Sequence, residues 1–136
     1  MDAQEKSKGA AARSRSIVFG DALRAVVREV GRARVVALGG SIELETADAF
    51  GAGLPDLVCP ETPHLILDLA ELEFISSIGI SAIVAAHRRA KALRGSVQIV
   101  APRAPIARLL ELTRLCDLIP VRQTIAAALD GFERPN

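Results

Sequence analysis

At 136 residues, half of them hydrophobic and with a formal net charge of +1, the chain is long enough for one domain that buries its own core. The near-neutral charge gives no field for a nucleic-acid or membrane-surface partner, and four Phe with no Trp or Tyr leave no platform for base stacking. Cys59 and Cys116 stand outside any metal or CxxC spacing, and neither a signal-like N-terminus nor a membrane-length apolar run occurs; the expected setting is cytoplasmic, with free thiols and no membrane insertion.

Residues 1–16, MDAQEKSKGAAARSRS, are polar and lack an apolar period, and read as a disordered tail. The domain is expected over residues 17–131, with 132–136 as a frayed end. Leu23–Val30 and residues 34–38 read as two strands of a hairpin, turned at residues 31–33. Gly39 and Gly40 break the pattern, and Glu43 and Glu45 lie just beyond. Residues 46–58 read as a helix with Ala47, Phe50, Leu54 and Leu57 on one face, followed by a loop over residues 59–63 with two prolines.

Residues 65–69 form the next strand; its apolar run Leu65, Ile66 and Leu67 stops at Asp68, as in a strand covered on both faces. A helix over about residues 78–93 follows, with Gly95 as its stop and Arg88, Arg89, Lys91 and Arg94 at its C-terminal end. A strand over 97–100, a helix over 105–112 with Pro105 in its first turn, a strand over 118–121 and a helix over 124–129 capped by Thr124 complete the chain. The order β-β-α-β-α-β-α-β-α implies an α/β domain with a mixed sheet of about five strands and helices mainly over one face.

The catalytic inventory is thin. No GxSxG, Walker or GxGxxG pattern occurs, and no Cys/His cluster, so neither a cofactor nor a metal is expected. His64 reads as a loop-edge residue and His87 as a half-buried helix residue. Glu43, Glu45 and Asp48 read as acids favouring a helix N-terminus, with surface recognition as their second reading. A nucleotide hydrolase built on Gly39, Gly40 and Asp68 would lack the lysine and metal ligands it needs. What remains is Ser76 and Ser77, at the start of the helix that follows the buried strand. Two hydroxyls there can cap the helix, or carry a phosphate that the free N–H groups stabilise.

The run LILDLAELEFISSIGISAIVAAHRRAKALRGSVQIVAPRAPIARLLELTRLCDLIPV resembles the STAS domain, in particular the bacterial anti-sigma factor antagonists. Upstream, RVVALGGSIELETADAF is similar to that family's strand, G-E-L-D turn and first helix. The likeness covers most of residues 26–129 and rests on an ensemble: Asp68, Phe74, the serine turn with Gly79, the Gly95 stop, the 97–100 strand, the Pro105 helix and Leu112. It implies a sheet packed by helices on one side and a non-catalytic activity. The implied partner is an anti-sigma factor, often a serine kinase, whose capture frees a sigma factor. A homodimer is a further partner to consider.

The family's pattern at the switch is D-S-[ST]-G-L. Here Ser76 stands at the aspartate, Ser77 at the first hydroxyl and Ile78 where the acceptor usually sits; Gly79 is retained and Ile80 replaces leucine. Ser41, Ile42 and Glu43 stand for E-L-D after Gly40, and Arg114 replaces a frequent glycine. The resemblance makes Ser77, then Ser76, the phosphorylation candidates. It assigns partner binding to Gly40, Ser41, Glu43, Ser76, Ser77, Ile78, Gly79 and Ser81. STAS modules of lipid-transport or stress-sensing complexes, in which the acceptor can be missing, are the alternative.

Overall fold

A computed structural model describes residues 14–19 and 22–133. Most of the expected tail, residues 1–13, lies outside the described residues, as do residues 134–136. Ser14–Ser16, expected in the tail, instead begin strand β1 (Ser14–Val18), which pairs antiparallel with β2 (Leu23–Val30). Polar residues at a sheet edge leave no apolar alternation to read. The edge position also explains why they are tolerated there.

Strand β2 turns through Gly31 and Arg32 into β3 (Ala33–Ile42), with Val30 opposite Ala33. Helix α1 (Leu44–Gly53) and a single 3-10 turn at Pro55–Leu57 replace the one longer helix expected, because Pro55 cannot continue the α-helical hydrogen bonding. Then come β4 (His64–Ile75), α2 (Ser77–Ala92), β5 (Ser96–Val100) and α3 (Ala104–Leu112). After a 3-10 turn at Leu115–Asp117, the last strand β6 is only Val121–Arg122, and α4 spans Ile125–Glu133. Leu118, expected in that strand, is exposed ahead of it.

The six strands lie in sequence order, β1 to β6. The first three are antiparallel and β3 through β6 are parallel, so the sheet is mixed. Alternation along each strand sends Leu23, Ala25 and Val27, Val36 and Leu38, Leu65, Leu67 and Leu69, and Val97 and Ile99 to one face. There they pack with Phe50 and Leu54 of α1, Ile83, Ala86 and Ala90 of α2, and Ile106 and Leu110 of α3. Burial of each Leu, Val, Ile or Phe among them contributes roughly 1.5–3 kcal/mol before entropy is counted. On the opposite face Ala33, Val35, Ile66 and Val100 pack against Ala128 of α4. The helices therefore lie mainly, though not solely, on one face.

Two strands run further than their apolar runs. Strand β3 passes through Gly39 and Gly40, and β4 passes through Asp68, whose Oδ1 accepts a hydrogen bond from the Ala70 N–H at 3.1 Å. The register between them slips twice: Ala37 faces Asp68 but Gly39 faces Glu71, and Gly40 faces Leu72 but Ser41 faces Phe74. Each slip inserts one extra residue into β4, so Leu69, Leu72 and Ile75 are buried three apart rather than two.

Candidate functional site

The parallel strands β3 and β4 end at the same edge of the sheet, and their connections to α1 and α2 emerge side by side. Ser41 is paired with Phe74 and Ile42 with Ile75. The ladder continues one step further, since the Ser76 N–H donates to the Ile42 carbonyl at 2.8 Å. The extended backbone of Ser76 (φ −81°, ψ 170°) then delivers the chain straight into α2.

The two serines have different surroundings. Ser76 is the N-cap, and its half-buried Oγ accepts from the Gly79 N–H at 3.2 Å. Ser77 is the first helical residue and is exposed. The first N–H groups of a helix have no acceptor within it, so those of Ser77 and Ile78 are left for solvent or an anion. One turn on, the exposed Ser81 donates its hydroxyl to the Ser77 carbonyl at 3.2 Å.

Gly79 and Gly40, expected to meet a partner, are each required by the fold. Gly79 is buried, and a Cβ there would lie 2.7 Å from Ile75 Cγ1 and 2.8 Å from Ile42 Cγ2. Its bare Cα lets the first turn of α2 settle on the ends of both strands. Gly40 adopts φ +104°, and a Cβ would collide with the Ala22 carbonyl, which accepts from the Ser41 N–H at 2.9 Å.

On the β3 side, Glu43 is exposed at the N-cap of α1. Its N–H donates to Thr46 Oγ1 at 3.0 Å, and that hydroxyl lies 3.3 Å from the Ser41 carbonyl. Buried Thr46 thus fixes the Ser41–Glu43 turn and closes a capping box with the exposed Glu43; sequence reasoning did not single it out. It also missed Phe74 as a surface residue. Phe74 is 51% exposed and Ile78 43%, two large apolar side chains at the rim beside Ser77. The signal for Phe74 was a phenylalanine among glutamates, which only the register slip turns outward.

Proton-transfer partners are remote. His64 begins β4 at the far end of the sheet, its Nδ1 3.2 Å from Ser96 Oγ; burial and then the Arg32 charge lower its pKa. His87 lies ten residues after Ser77, about 15 Å along α2. It is buried, its Nδ1 has no hydrogen-bond partner, and burial followed by the Lys91 and Arg88 charges lowers its pKa. Among the described residues no group of three or more His, Cys, Asp or Glu side chains could hold a metal, and no helix is long and apolar enough to cross a membrane. The Gly39–Gly40 pair lies within β3 and forms no phosphate loop.

Fold and site together define a small mixed α/β domain that presents an acid, a hydroxyl and two apolar side chains on a rigid rim. The chain belongs to the STAS domain family, whose profile matches residues 24–128. Its backbone is similar to the crystal structure of an anti-sigma factor antagonist from Mycobacterium paratuberculosis, with a TM-score of 0.74 and 27% identity over 84% of this chain and 97% of that one. In sequence it is 28% identical over 69 residues to the anti-sigma-F factor antagonist RsfB of Mycobacterium tuberculosis, a match spanning 51% of this chain and 57% of that protein. It is 23% identical over 100 residues to the anti-sigma F factor antagonist of Paenibacillus polymyxa, covering 73% of this chain and 86% of the other.

Proposed function

We propose that this protein is an anti-sigma factor antagonist: it binds an anti-sigma factor by its rim and so releases a sigma factor. The observation that carries the reading is the exposed pair Phe74 and Ile78 beside Ser77, next to the exposed Glu43. The relatives named above, all anti-sigma factor antagonists, support it. The mechanism is competition without catalysis. Residues Ser41, Glu43, Phe74, Ser77, Ile78 and Ser81 make the contact; Gly40, Ser76 and Gly79 hold the rim in shape.

The finer reading makes the partner a serine kinase and Ser77 its target. Ser77 is exposed, whereas the Ser76 hydroxyl is engaged in the cap. A phosphate on Ser77 would add about two negative charges next to free N–H groups and beside Glu43, and would repel a partner fitted to the unmodified rim. The test is a complex of purified anti-sigma factor and sigma factor from the same organism, challenged with this protein. Sigma factor should be released by the wild type and by Ser77→Ala, and not by Ser77→Asp. Glu43→Lys should weaken binding without unfolding the protein. If the kinase labels neither serine and Ser77→Asp binds like the wild type, the protein is an unswitched module. Ile78 at the family's usual acceptor position favours that second reading, a scaffold subunit of a transport or stress-sensing complex.

A further inference from the structure

The rim occupies only the first turn of α2, and the outward face of that helix runs on. Ser77, Ser81, Ala85, Arg88 and Ala92 follow at helical spacing and are all exposed. The exposed positions between Ile78 and Arg88, Ser81 and Ala85, carry small side chains that let another surface approach closely.

Beyond them the charge changes. Arg88, Arg89, Lys91 and Arg94 place four exposed cations within residues 88–94. Arg89 Nε donates to the Val58 carbonyl at 2.6 Å. Among the described residues, none of the four enters an ion pair. The helix dipole accounts for cations in the last turn, Arg89 and Lys91, but Arg88 stands before that turn on the same outward face as Ser77 and Ser81. Glu43, at the opposite end of this surface, carries the other sign.

We infer that the outward face of α2 is a two-part docking strip for an acidic protein surface. The partner's apolar contact meets Phe74 and Ile78, and its carboxylates meet Arg88 and Lys91, about 15 and 20 Å beyond Ile78 along the helix. This inference rests on the proposed function and goes beyond it by fixing the partner's charge and its direction of docking. A partner laid down in reverse would bring its carboxylates to Glu43, and like charges across an interface are costly. The positive end also acts on its own helix: Lys91 and Arg88 follow burial among the causes of the lowered His87 pKa, as cations with no neutralising carboxylate would.

The test measures the dissociation constant for the purified anti-sigma factor at about 50 and 300 mM salt, where screening differs about two-fold in length. An Arg88→Glu, Lys91→Glu double variant should stay folded, melting a few degrees lower because it sets acids near a helix C-terminus, and should bind ten-fold or more weakly at low salt, the gap narrowing at high salt. Ile78→Arg should weaken binding at both. If the double variant binds like the wild type at low salt while Ile78→Arg does not, the docking strip is overturned and the proposed function stands. If the wild type itself does not bind, the proposed function falls and the strip falls with it.

Discussion

Ser76 and Ser77 are neighbours with separable duties, and stability measurements can tell them apart. Ser76→Ala removes the bond to the Gly79 N–H and should cost about 1 kcal/mol in urea denaturation. Ser77→Ala removes an exposed hydroxyl and should stay within about 0.5 kcal/mol. Equal losses would mean that the cap is shared. The sequence displayed the serine pair as a helix start, but not which serine caps, since that depends on β4 ending at Ile75 and no earlier. His87 makes a second prediction. Burial with an unpartnered Nδ1 lowers its folded pKa below the ordinary 6.5, and His64 is lowered in the same direction. The unfolded chain therefore binds protons more readily, so stability is fully present above about pH 6.5 and is lost as pH falls toward the folded values. Melting temperatures should fall between pH 7 and 5, and His87→Leu should flatten that slope. A slope unchanged by the substitution would assign the effect elsewhere.

Elements with an apolar period were legible; those whose regularity is broken were not. The hairpin strand Leu23–Val30, the buried strand Ser96–Val100 and the Thr124 cap follow from pattern, and the Ala127 N–H does donate to Thr124 Oγ1 at 3.0 Å. The far half of β4 was hidden because its two slips replace a period of two by a period of three. The stop of α2 was placed one residue late: Arg94 takes the left-handed conformation (φ 64°), while Gly95 is needed because a Cβ would strike the Pro63 carbonyl. Arg114 is likewise left-handed (φ 63°) after α3, at the position where the resemblance calls for glycine. Its pair with Asp117, 3.0 Å long, joins side chains 82% and 58% exposed and contributes little. Arg114→Gly should therefore stabilise the protein by roughly 0.5–1 kcal/mol, net of the freedom glycine gives the unfolded chain. A lower denaturation midpoint would show that the ion pair outweighs the backbone strain.

At the scale of the whole molecule, the class of fold was readable because alternating strands and helices admit few arrangements, whereas the sixth strand was not, since β1 is polar and sits at the edge. Burial decides which parts hold. Leu67 and Leu65 are fully buried in the centre of the sheet, and Leu67→Ala should cost roughly 2–5 kcal/mol. Amides of β3 and β4, flanked on both sides by other strands, should exchange with solvent only on global unfolding, and those of β1 and β6 much sooner. Uniform protection across the sheet would contradict this. The strand order carries one more consequence, for assembly in time. No strand is inserted between two that precede it, so a chain growing from the ribosome can add each strand to a neighbour already made. The first and last strands finish at opposite edges, five spacings or about 24 Å apart, and α4 brings the chain back from the β6 edge to cover Ala33, Val35 and Ile66 near the middle of the sheet.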